Sequence, residues 1–351
     1  MMSLSTFQLA LLALGAALLV AIWVYNRWQS RRHEPRQPRA QSARMDDAVN
    51  VEPVLLEPVL DTSSDEPLSG VAVPMVERKA QLDPLIDTLA TIELDHPVSG
   101  EAVLAALPPT RRIGSKPFAV EGCALEDGQW SAVLPQMRYS ALQCGLQMAN
   151  RTGPMNDIEY SEFVVKSQAL AEALGGVAHC ADMLQEVARA RELDQFAGDH
   201  DAQLAFTLVA RGAAWSPGYI QQNAARFGFV AGSLPGRLVL PSAQMGMPPV
   251  LSMAFDTQAA LADEPEHSAV RKLIISLDVP QVPQSEEAFA RLCEVSRGLA
   301  QAMEGLLTDG AGHALEDSTL AHIASDLEQL YKVLAARELP AGSAAARRLF
   351  A

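Results

Sequence analysis

Across residues 273–305 the hydrophobic positions change their period. Leu273, Ile275, Leu277 and Val279 alternate with Ile274, Ser276 and Asp278, the period of two expected of a half-buried strand. Pro280 and Pro283 end that run, because proline has no N–H to give a strand ladder. From Glu286 onward, Phe289, Leu292, Cys293, Ser296, Leu299, Ala300, Met303 and Leu306 recur at three and four, which is one face of an amphipathic helix. A strand with one apolar face beside a helix with one apolar stripe makes a packing unit.

The same reading predicts strands at 118–121, 130–133, 141–148, 204–209, 238–240 and 250–255. It predicts helices at 157–174, 182–193, 217–228 and 319–336. Gly175-Gly176 stops the first of these, and Ser216-Pro217 caps the third with a proline at its first turn. The order of elements suits an α+β fold of the split β-α-β kind: an antiparallel sheet with helices on one face. A faint repeat reinforces this. The run from Ser167 to Gly176 resembles the run from Ser296 to Gly305, at an offset of 129 residues. Each follows an alternating strand, so two related lobes are expected, at 111–199 and 200–351.

The amino-terminal pattern is different. Phe7 to Tyr25 holds no charge, and its nineteen residues reach about 30 Å as a helix, the thickness of a bilayer core. Trp23, Tyr25 and Trp28 gather at its far end, where amphipathic rings favour the interface. Arg27, Arg31, Arg32, Arg36, Arg39 and Arg44 follow, while the start lacks the basic residues of a cleaved signal. Residues 1–28 therefore read as a single transmembrane anchor. The arginines keep the body cytoplasmic, leave the short amino end periplasmic, and can touch anionic lipid. Residues 29–110 read as an acidic, proline-containing flexible linker. From Asp46 to Glu101 there are thirteen acidic residues against Arg78 and Lys79, and such chain repels itself. Within it, Leu82, Leu85, Ile86, Leu89 and Ile92 have the spacing of a short helix face.

Composition narrows the chemistry. The 351 residues carry a formal charge of -15, which argues against binding a nucleic-acid backbone. Cys123, Cys144, Cys180 and Cys293 match no metal spacing, and the seven histidines are scattered. No glycine-rich phosphate cradle or nucleophile elbow is present. These absences point away from an enzyme, a metal site or a cofactor, and toward a binding module on a membrane.

From Gln203 onward the chain resembles the carboxy-terminal domain of the ZipA family, bacterial division proteins that tether the tubulin-like FtsZ to the inner membrane. The resemblance rests on the stretches FTLVARGAAWSPGYIQQNAARFGFVAG, PPVLSMAFDTQAALAD and LIISLDVPQVPQSEEAFARLCEVSRGLAQAMEGLLTD, in that order. Residues 111–200 lie outside it, and the linker is short for the family. The resemblance implies that the bare face of the sheet takes the carboxy-terminal peptide of FtsZ in a shallow apolar groove. Strand alternation then nominates Ala205, Thr207, Ser252, Ala254, Ile274 and Ser276, with Leu234 and Leu238 between them. Ser276 stands where the family has an aromatic. The first lobe is an alternative seat for the peptide. The implied role is a division-ring tether at the septum, in the bacterial inner membrane, with other ring proteins as further partners. The other reading is a membrane-anchored scaffold for a different division or envelope-assembly partner.

Overall fold

The computed structural model describes residues 36–37 and 82–351. The predicted anchor, with Phe7, Trp23, Tyr25, Arg27, Arg31 and Arg32, lies outside the described residues, as does most of the predicted linker. No helix among the described residues is long and apolar enough to cross a membrane. The described chain is mixed α+β and forms two compact units. One holds residues 82–146 and 158–182; the other holds 147–157 and 183–351, together with 36–37.

The first unit begins earlier than the sequence predicts. β1 (Asp87–Ser99) and α1 (Gly100–Ala106) occupy the end of the expected linker. The helix expected on Leu82, Leu85, Ile86, Leu89 and Ile92 is instead a turn leading into β1, with Ala90 and Ile92 buried two apart. β2 (Arg112–Ile113), β3 (Lys116–Ala124), β4 (Trp130–Ala132) and β5 (Arg138–Gln147) follow. A short hairpin, β6 (Ala149–Asn150) with β7 (Gly153–Pro154), belongs to the other unit. α2 (Asp157–Leu174) and β8 (Gly176–Cys180) complete the first unit. Its sheet runs β2-β3-β5-β1-β8, with β4 beside β3. Phe118 of β3 meets Phe163 of α2 edge-on, 6.2 Å between ring centres, on the helix-covered face.

The carboxy unit takes α3 (Met183–His200), then β9 (Gln203–Ala210) and α4 (Pro217–Ala225). The Ser216 cap forms as its sequence predicts: its Oγ accepts from the Tyr219 N–H at 3.2 Å, and Pro217 opens the helix. Next come β10 (Val230–Ala231), β11 (Arg237–Leu240), β12 (Leu251–Phe255), the single turn α5 (Thr257–Ala260) and β13 (Lys272–Asp278). α6 (Ala288–Ala302), β14 (Gly305–Thr308), α7 (Asp317–Ala336) and α8 (Ala344–Leu349) end the chain. The sheet runs β10-β11-β12-β13-β9-β14, all antiparallel. One core joins Phe206, Leu208, Met253, Leu273, Ile275 and Leu277 of the strands to Ile220, Leu292, Leu299, Leu320 and Leu327 of α4, α6 and α7. The helices thus cover one face of this sheet.

The two units repeat one plan. β1, α1, β3, β5, α2 and β8 recur as β9, α4, β12, β13, α6 and β14. The sheet orders β3-β5-β1-β8 and β12-β13-β9-β14 agree as well. The 129-residue offset holds in detail. Gly175 and Glu304 both take left-handed φ values, +67° and +53°, just before the glycines that open β8 and β14. Ser167 and Ser296 are fully buried at matching places in α2 and α6. α3 and the β6–β7 hairpin both depart from the expected 111–199 lobe: α3 follows β8 as α7 follows β14, yet both pieces pack in the carboxy unit.

Candidate functional site

The face of the carboxy sheet turned away from its helices is built from two ladders of facing residues. The first reads Thr308, Thr207, Ile274, Ala254, Arg237 across β14, β9, β13, β12 and β11. The second reads Ala205, Ser276, Ser252, Val239, Val230 across β9, β13, β12, β11 and β10. Side chains that face one another across adjacent antiparallel strands share one side of the sheet. Six of the eight nominated residues therefore fall on two neighbouring rungs.

Their surroundings differ. Ala205 is exposed, Ile274 is 37% exposed, and Ser252, Ala254 and Ser276 are half-buried. Thr207 points to the same side but is buried, and the Thr308 hydroxyl donates to its carbonyl at 3.4 Å. Leu234 sits in the turn before β11 and is exposed. Leu238 is a correction. It pairs with Met253 and joins the core, 4% exposed, so Arg237 and Val239 take the outer side of β11. The sequence signal there is weak, because three of the four residues of β11 are apolar and no alternation sets the phase. Register against β12 sets it instead. Val230 and Leu306, also missed, add exposed apolar surface at the two sides of the sheet.

The middle of this face is low. Alanine and serine side chains at 205, 252, 254 and 276 leave a shallow floor between Ile274, Val230 and Leu306. A depression of about 280 Å³ opens along it, lined by Arg237, Pro248, Pro249, Val250, Ser252, Ser276, Leu277, Asp278, Gln203 and Gln281. Its two charged ends are unlike. Asp278 is held by Arg151, with Nη1 to Oδ2 at 2.7 Å and Nη2 to Oδ1 at 2.8 Å. The same guanidinium grips Asp201 through Nε at 2.9 Å and Nη2 at 2.6 Å. Those two carboxylates, Asp201 first, push the Arg151 pKa further up, so it stays charged. Arg237 is exposed and has no ion pair among the described residues. The open positive charge of the depression is thus Arg237, while its acid, Asp278, is paired with an Arg151 that it shares with Asp201.

Among the described residues no three His, Cys, Asp or Glu side chains gather as a metal would need. What the surface provides is exposed apolar area, a low floor and the exposed cations Arg237 and Lys272. Those are the elements of a seat for an extended or helical segment.

Residues 252–326 match the family described as ZipA, C-terminal FtsZ-binding domain. Over this stretch the chain is similar to that family. The match runs from β12 through β13, α6 and β14 into α7, so it spans the centre of the sheet and part of its helical cover. A search of curated proteins found no match. Among solved structures, berberine bridge enzyme from Eschscholzia californica aligns at 9% identity and a TM-score of 0.17, over 72% of this chain and 52% of that one. The chain spans about half the length of that enzyme, and a likeness so slight carries no argument. That family is described by its binding of FtsZ, and of the two rungs Ser252, Ala254, Ile274, Ser276 and Thr308 lie inside the matched stretch.

Proposed function

We propose that this is a cell-division protein whose carboxy unit binds the carboxy-terminal peptide of FtsZ on the open face of its sheet. The observation that carries the reading is the bare face itself. A ZipA-type stretch supplies its central strands, and the helices gather on the other side. Burial of apolar side chains drives such binding, at about 25 cal/mol per Å² removed from water. Ile274, Val230 and Leu306 supply that area, and the serine and alanine floor lets a bulky partner residue approach. The arginine-flanked apolar segment at residues 7–25 supports an inner-membrane anchor, which would make the protein a tether of the division ring at the cytoplasmic face.

Anisotropy of a labelled FtsZ tail peptide titrated with the full chain tests this. Saturable binding at micromolar concentration is expected. No binding at high micromolar concentration overturns it, and septal localisation without FtsZ binding would favour a scaffold for another division or envelope partner.

A further inference from the structure

A second, separate feature joins the amino-terminal region to the carboxy unit. Trp215 is fully buried, and its indole N–H donates to the Met303 carbonyl at 2.9 Å. Its backbone pairs with Val270 on one edge, Trp215 N to Val270 O at 2.8 Å and the return bond at 2.9 Å. The other edge is taken by Arg36. The Arg36 N–H donates to the Ala214 carbonyl at 2.6 Å, and the Ser216 N–H donates to the Arg36 carbonyl at 3.0 Å, a parallel bridge. The Arg36 guanidinium then reaches the Glu304 carboxylate and, at 3.5 Å, the Met303 carbonyl. Four contacts, two through the backbone and two through the guanidinium, thus seat one residue of the basic stretch on the same corner.

We infer that Arg36 is a strap which holds the carboxy unit on a short leash, in place of the full linker. The inference rests on the anchor reading for its membrane end. Ten residues separate Tyr25 from Arg36, so a docked strap keeps that corner within about 40 Å of the end of the anchor. With the strap released, the next described residue is Leu82, and 57 residues of chain from Tyr25 have a contour length of about 200 Å. Glu304 is 69% exposed at its side chain, so the ion pair is screened by salt and the strap is releasable. The surface of the carboxy unit at Ala214–Ser216 and Glu304 is therefore a docking site for the chain's own juxtamembrane segment, and it sets how far the sheet face can reach.

Two measurements on the full chain test the strap. In detergent, trypsin should cut after Arg36 about tenfold more slowly than after Arg39 and Arg44, and Glu304→Lys should remove that protection. Equal rates at all three sites in the unsubstituted chain would overturn it. In vesicles, energy transfer from a fluorophore at the exposed position 245 to labelled lipid should fall in Glu304→Lys and at high salt. Transfer that is present and unchanged in both conditions sinks the strap. Transfer absent throughout sinks the anchor reading, while the protease result still judges the strap.

Discussion

The Leu82 side chain lies on Gly145, its Cδ2 only 2.3 Å from where a Cβ would stand. Gly145 is on the outer side of β5, and the Leu82 N–H donates to the buried Glu121 Oε1 beside it at 2.9 Å. The 129-residue offset places Gly145 in register with Ile274, which is 37% exposed in the carboxy unit. The first unit thus covers with its own chain the place that the carboxy unit leaves open. That contrast favours the carboxy unit as the peptide seat.

Leu82→Ala should uncover this spot and leave a cavity. A loss of about 2–4 kcal/mol in folding free energy is expected from urea denaturation, the usual cost of such a truncation. A change within about 0.5 kcal/mol would mean that the covering segment is only loosely held.

Ile274→Glu should leave folding nearly intact and weaken the FtsZ peptide by at least about tenfold, because a charge replaces exposed apolar area at the centre of the face. Circular dichroism and peptide anisotropy separate the two effects. Undiminished affinity would move the seat elsewhere.

Arg237 predicts a salt-sensitive part of that binding. Arg237→Gln should weaken the native peptide by about threefold to tenfold and flatten its salt dependence. It should not alter binding of a peptide whose carboxylates are all amidated. Equal loss for both peptides would assign Arg237 a packing role.

Leu238 and Val239 test the phase of β11. Leu238→Ala should cost about 2–4 kcal/mol, since it empties part of the core, while Val239→Ala should cost less than about 1 kcal/mol and act on peptide affinity. The reverse order would restore the phase that the sequence alone suggested.

Cys144 offers a pH signature. Burial above all pushes its thiol up to about 12, against a small opposing effect from Ser167. The folded protein keeps this proton between pH of about 9 and 12, while the unfolded chain, with a thiol pKa near 8.5, releases it. The associated stability is complete below that window and is lost as pH rises through it. Urea midpoints from pH 8 to 10.5 should fall more steeply for the natural chain than for Cys144→Val. Parallel lines would remove Cys144 from the alkaline response.

The sequence by itself determined the elements whose pattern is enforced locally. β13 alternates cleanly over Leu273, Ile275 and Leu277, and its outer residues Ile274 and Ser276 followed at once. The caps at Ser216 and Gly175 and the span of α2 were equally legible, because a cap or a stop acts within a few residues of itself. The related pairs at 167 and 296, and at 176 and 305, announced a repeat whose shared topology then appeared in both sheets. Only the tertiary structure decided the rest. Leu82, Leu85, Ile86, Leu89 and Ile92 fit a helical spacing, yet the segment is a turn running into a strand because β5 and β8 offer β1 a ladder on both sides. β11 carries no readable alternation, so its pairing with Met253 turned Leu238 inward and Arg237 outward. Strand pairing joins residues far apart in the chain, and its hydrogen bonds and burial outweigh the weak preferences of short segments.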